Sequence, residues 1–168
     1  LSREDNPSFG FQDSAYWVKI SFQNQCVNKS KFYLEEAFPP IDFLEMYYQE
    51  DGQFKSLVLG DSIPYSNRIV NHRNHIFPVT ILPGSSRTFF LKVKTKSVMV
   101  FRMKLFQEDA FHIKTSNEQF FFGIFYGIFL LLIFTNIFLY FSLKEKLYFY
   151  YVLYTFALGM YFFIFNGF

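Results

Sequence analysis

The sequence predicts an all-β domain of the sandwich or jelly-roll kind followed by transmembrane α-helices, and three observations predict it. Over the first part of the chain, apolar and polar residues alternate in short runs, the period of half-buried strands. The last part holds two spans without a charged residue, 119–143 and 147–168. As helices rising about 1.5 Å per residue, both cover or exceed the roughly 30 Å of bilayer hydrocarbon. Finally, Cys26 is the only cysteine, so no internal disulfide is available and the first part must rest on its own core.

Composition agrees. Hydrophobic residues make up 51% and aromatics 24%, with 27 Phe, a heavy load for a domain in water, and the excess sits in the two uncharged spans. A net charge of +2, mixed in sign along the chain, excludes nucleic acid as the expected partner.

Residues 1–14 read as a polar entry segment, with Arg3, Glu4, Asp5, Pro7, Gly10 and Asp13. The chain opens on Leu1-Ser2-Arg3 without an initiator Met or a basic and apolar leader. Both ends therefore read as cut edges, with any export signal removed or upstream. The sandwich is expected over 15–115. Tyr16, Val18, Ile20 and Phe22 alternate with Trp17, Lys19 and Ser21 as a first strand, and further candidates follow at Phe32–Ala37, Phe43–Gln49, Phe54–Leu59, Ile76–Leu82, Thr88–Thr95, Met99–Phe106 and Phe111–Lys114. Asp51-Gly52 suits a two-residue type I′ hairpin. That register sets Leu44 opposite Leu59, Met46 opposite Leu57 and Tyr48 opposite Lys55. A second hairpin around Ser97 is expected to place Phe89, Leu91 and Val93 opposite Leu105, Met103 and Phe101. The same register confronts Lys92 with Arg102 and Phe90 with Lys104, a basic outer face that invites an anionic neighbour.

The boundary is expected near Thr115–Gln119, a short connection with little slack. Transmembrane helix 1 follows at 119–143, a turn at 144–146 and helix 2 at 147–168. Lys144 and Lys146 against Glu145 favour a cytoplasmic turn, which leaves the sandwich outside. Gly123 and Gly127, with Thr135 and Asn136, read as helix-packing positions in a bundle; chance glycines and a threonine bonded to its own backbone are the plain alternative.

Three residues are candidates for ligand binding. Trp17 lies on the strand face opposite Tyr16, Val18 and Ile20, so it is either a plate for a sugar ring or a large aromatic packed under a loop or second sheet. Tyr47 shares a face with Glu45 opposite Ser56, as a polar wall of a site or part of a solvated face. Arg68 follows Pro64-Tyr65-Ser66-Asn67, where its donors grip a carboxylate or sugar hydroxyls, or pair structurally with Asp61 or Asp42. His72, His75 and His112 do not make a metal site, because the close pair sits beside Arg68 and Arg73, whose charge repels a cation. No cofactor is expected. Glu35, Glu36, Asp42, Glu45 and Asp51 supply carboxylates without the fixed spacing of a hydrolase pair, and no nucleophile elbow or phosphate loop is present, so no enzyme is expected within these residues.

With these elements placed, the order of several segments carries a family likeness. They are Tyr16-Trp17-Val18 with Phe22-Gln23-Asn24; Leu44–Tyr48 with Asp51-Gly52; Gly60 and Arg68; Leu82-Pro83-Gly84 with Thr88-Phe89-Phe90-Leu91; and Gly123-Ile124-Phe125-Tyr126-Gly127 through Leu147-Tyr148. In that order the sequence resembles the bacterial seven-transmembrane receptors with diverse intracellular signalling modules, over their type-2 extracellular domain and first two membrane helices. The resemblance implies a periplasmic jelly roll similar to carbohydrate-binding modules, a seven-helix membrane domain and a cytoplasmic output domain such as a histidine kinase or cyclase, with five helices and the output domain outside this chain. The expected role is the input half of a signalling receptor in the bacterial inner membrane. Its expected partners are the bilayer, a small-molecule or carbohydrate ligand and, as for receptors generally, a second copy in a homodimer. A membrane-anchored envelope-binding or adhesive module without signalling is the alternative.

Overall fold

The computed structural model describes residues 8–11, 14–96 and 98–167. Most of the polar entry segment and the expected turn residue Ser97 lie outside the described residues. The chain forms two compact units, one ending at Phe111 and one beginning at His112.

The first unit is the β-sandwich. Its strands are β1 (Ser8–Phe11), β2 (Tyr16–Gln23), β3 (Lys31–Glu36), β4 (Phe43–Glu50), β5 (Gln53–Leu59), β6 (His75–Thr80), β7 (Ser86–Lys94), β8 (Val98–Val100) and β9 (Met103–Gln107). One sheet has the order β2-β7-β4-β5 and the other β6-β3-β9, with β1 and β8 as a separate ribbon; all pairings are antiparallel. Apart from the β4–β5 hairpin, the chain changes sheet between strands, as a jelly roll does. The core lies between the sheets, where Leu34 and Phe77 of one meet Leu44, Met46, Phe89, Leu91 and Val93 of the other, all 0–1% exposed. Ile41, Leu59 and Ile81 close its ends. These residues sit at alternate positions of their strands, which is why a period of two in the sequence marks the core face.

The β4–β5 hairpin has the predicted register, Leu44 opposite Leu59, Met46 opposite Leu57 and Tyr48 opposite Lys55. Asp51 and Gly52 have φ of 52° and 78°, the left-handed pair that a type I′ turn requires. The second expected hairpin is not formed. β7 pairs with β2 and β4, whereas β9 pairs with β3 in the other sheet. Lys92 therefore stands between Trp17 and Glu45, and Lys104 opposite Glu35. Like charges no longer confront each other, which removes the penalty of the expected register. The expected strand Met99–Phe106 breaks at Phe101–Arg102. There the Glu36 carboxylate accepts the Arg102 N–H, at 2.9 and 3.2 Å to its two oxygens, and Ala37 N–H donates to the Arg102 carbonyl at 3.1 Å. The entry segment is not wholly irregular, since β1 falls within it.

The last expected strand, Phe111–Lys114, is helical. Helix α1 runs Glu108–Leu143, with Glu108 and Asp109 in its first turn, where acidic side chains favour the positive end of the helix dipole. Four residues of alternation were too few to separate strand from helix. Phe111 is 3% exposed and stacks on Tyr33 at 4.6 Å between centroids, with Phe106 and His72 at 6.4 and 5.4 Å. It thereby covers the outer face of the three-stranded sheet. The expected short connection at Thr115–Gln119 is likewise part of α1.

The second unit is a helical hairpin. After Leu143, Lys144 and Glu145 reverse the chain, Lys144 with φ of 55°, and helix α2 runs Lys146–Phe165. Both helices are long and apolar enough to cross a membrane. Their large apolar side chains are exposed on every side, among them Phe134, Phe138, Phe141, Tyr154 and Ile164 at 64–73%. Such a surface is at rest only in lipid. The two helices meet through T-shaped contacts of Phe125 with Phe162 and Tyr126 with Phe163, centroids 5.8 and 5.6 Å apart.

Candidate functional site

Two of the three candidate ligand-binding residues, Trp17 and Tyr47, lie on the outer face of the four-stranded sheet. Residues that alternate with the core positions point away from the sandwich, and the register lays them in rows across the strands. One row is Trp17, Lys92, Glu45 and Val58; the next is Lys19, Phe90, Tyr47 and Ser56. Trp17 is 60% exposed, so it is not packed under a second layer. It reaches across β7 to Tyr47, with ring centroids 5.4 Å apart and planes tilted by 32°. The sheet thus brings together two of the three residues expected to bind ligand.

Cations flank the rings. The Lys92 ammonium lies 5.9 Å from the Trp17 centroid and that of Lys19 lies 5.9 Å from Phe90. The nearby Glu45 carboxylate raises the Tyr47 phenol above its ordinary range. Further along the face, Ser21 and Thr88 share a hydrogen bond of 2.8 Å. Next to them an open depression of about 430 Å³ is lined by Gln49, Phe54, Ser86, Arg87, Thr88 and Phe90. Arg87 forms its firm edge, donating to the Thr80 carbonyl at 2.7 Å and the Gln49 carbonyl at 3.1 Å, with its guanidinium 5.0 Å from the Tyr48 ring.

Arg68 is not part of this face. It follows the short 3-10 turn Tyr65–Asn67, lies over the Tyr65 ring at 4.7 Å, and donates to the carbonyls of His72 and Arg73 at 2.8 and 3.2 Å. It holds the loop between β5 and β6. Neither expected ion pair is formed among the described residues: Asp42 instead accepts the Lys96 N–H at 2.6 Å and the Thr95 hydroxyl at 3.2 Å. His75 is buried with its Nε2 3.0 Å from the Pro39 carbonyl, and Nδ1 of His72 accepts the Asn74 N–H. Both act within the loop and its neighbouring strand ends.

In the helices, Gly123 and Gly127 have nothing within 4 Å of a Cβ added to either. The close approach of α1 and α2 falls instead at Gly159, where such a Cβ would lie 3.3 Å from the Phe129 ring. Asn136 donates to the Leu132 carbonyl of its own helix at 2.8 Å, and Thr135 does the same to Leu131.

Sequence reasoning missed Phe54, Phe90 and Lys92 as companions of Trp17. Their alternation was visible, but which strand lies beside which is decided by long-range pairing, and Trp17 meets Tyr47 only because β7 separates β2 from β4.

A β-sandwich in water joined to a helix pair that needs a bilayer defines the class, a membrane protein with a folded extramembrane domain. A family model described as 7TMR-DISM extracellular 2 matches residues 1–107, and one described as 7TM diverse intracellular signalling matches residues 118–168. The chain belongs to this receptor family: the sandwich is its extracellular sensor domain and the two helices are part of its membrane domain. Neither matched domain is catalytic. No curated protein matches the chain.

Proposed function

We propose that the receptor's sensor domain takes a carbohydrate ligand on the outer face of the four-stranded sheet, with Trp17 and Tyr47 as its stacking plates. The observation that carries this reading is the exposed pair itself. A tryptophan 60% exposed on a regular strand, held at 5.4 Å from a tyrosine two strands away, exposes apolar ring area that folding alone would bury. The C–H face of a pyranose matches such a ring, and its hydroxyls find donors and acceptors in Glu45, Lys92, Ser21 and Thr88 nearby. We place the domain in the periplasm and the helices in the inner membrane of a bacterium, as the family likeness and the lysines at 144 and 146 favour.

Signal transfer follows from α1. Its first turn is packed on the sandwich through Phe111, so a ligand that binds two arrangements of the sandwich unequally shifts the setting of that turn. The test is a titration of the chain in lipid nanodiscs with a panel of mono- and oligosaccharides, read by tryptophan emission and thermal stability. Trp17 is the only tryptophan, so its emission reports on the site alone. A saturable change that also raises the melting temperature supports the reading. Emission unmoved by every sugar overturns it.

A further inference from the structure

We infer that the ligand is an oligosaccharide bearing carboxylates, bound along the outer face with its rings on the aromatic plates and its anionic groups on the lysines. The inference rests on the carbohydrate reading above and deepens it. Three cations, Lys19, Lys92 and Lys94, share this face by register, and Glu45 is the only carboxylate among them. Among the described residues none of the three lysines has a salt bridge. Two of them stand over aromatic rings, at 5.9 Å each. A face that needed its lysines only for solubility has no reason to set them beside its exposed rings, where a ring-stacked ligand meets them first.

The extent of the face argues for more than one sugar ring. From the Trp17 row to the Phe54 row is four residues along the strands, about 14 Å at ~3.4 Å each. Aromatic surface recurs along that length, from Trp17 and Tyr47 through Phe90 to Phe54, which is 70% exposed beside the depression. Lys92 in the Trp17 row, Lys19 in the Tyr47 row and Lys94 one row beyond Trp17, with ring surface continuing to Phe54, fit a chain of acidic sugars better than a single neutral one. Charge complementarity of this kind adds specificity and speed of association as well as affinity.

The experiment uses the chain in nanodiscs of uncharged lipid, with emission of Trp17 as the readout. The probes are trimers of galacturonate, glucuronate and mannuronate, the methyl esters of the same trimers, and a linear polyphosphate of equal charge. At least one acidic trimer is expected to bind about tenfold more tightly than its ester, an advantage that shrinks as salt rises. The double variant Lys19→Gln, Lys92→Gln is expected to bring the affinity for the acidic trimer down to that for its ester; its unchanged melting temperature shows that it folds. Equal affinity for acid and ester overturns the inference and leaves the carbohydrate reading standing. Polyphosphate binding as tightly as the acidic trimer also overturns it, because charge alone then suffices. Emission unmoved by acids, esters and neutral sugars alike removes both.

Discussion

At the scale of single residues, the site and the fold make separable demands. Trp17→Ala removes an exposed ring, so ligand response is expected to vanish while stability changes by less than about 0.5 kcal/mol, checked by calorimetric titration and thermal unfolding. Gly60→Ala is the opposite case. Gly60 has φ of +145°, and a Cβ there would stand 2.2 Å from the Asp42 carbonyl oxygen, backbone that cannot step aside. A loss of about 2–4 kcal/mol is expected in denaturant unfolding. Glu36 gives a pH signature. Burial raises its carboxyl from 4.5 to about 7, against the N–H donors of Arg102 and Phe38, with the Glu35 charge adding to the rise. Between those values the folded state keeps the proton and the unfolded state does not, so the stability from this group falls as pH rises, by about 3 kcal/mol at most. His75 works in the other direction: burial lowers it, so its contribution is lost as pH falls below 6.5. The stability of the native chain minus that of Glu36→Gln isolates the first effect and should decline from pH 4.5 to 7; a flat difference would contradict it. Trp17 and Tyr47 were legible in the sequence because alternation alone assigns a strand residue to a face. Arg68 stands apart from that face, and the sequence alone does not distinguish a loop arginine that donates to backbone carbonyls from one that grips a ligand.

At the scale of elements, local signals were read correctly and distant pairings were not. Asp51-Gly52 fixes its hairpin within a few residues, and the whole β4–β5 register follows from it. The partner of β7 lies far away in sequence, and nothing near Ser97 distinguishes a hairpin from a strand that leaves for the other sheet. The start of α1 was hidden for a related reason. Residues 108–118 are too polar to read as membrane helix, and what makes them helical is Phe111 seated on Tyr33 and the Lys114–Glu118 pair at 3.0 Å, one turn apart. Phe111→Ala is expected to cost the sandwich about 3 kcal/mol or more. Amide exchange at Glu108–Phe111 should rise at the same time; unchanged protection there would show that the first turn stands without its anchor.

At the scale of the whole molecule, a domain that folds in water is followed by a hairpin that folds in lipid, and the composition announced both. The orientation has a direct test, because Cys26 is the only cysteine and is partly exposed beside Gln107, whose Nε2 donates to its sulfur at 3.1 Å. A membrane-impermeant maleimide applied from outside should label Cys26, and should fail to label Glu145→Cys in a Cys26→Ser background until the membrane is opened. The reverse pattern would invert the topology. The helix that begins at Glu108 also has a consequence for folding. Starting a helix is its costly step, with a nucleation constant of about 10⁻³, whereas each later residue adds one hydrogen bond for one residue fixed. In α1 the burial of Phe111 offsets that step. The helix that goes on to supply a membrane span thus has its least favourable turn formed on a side chain seated in the sandwich, before any residue of the span itself.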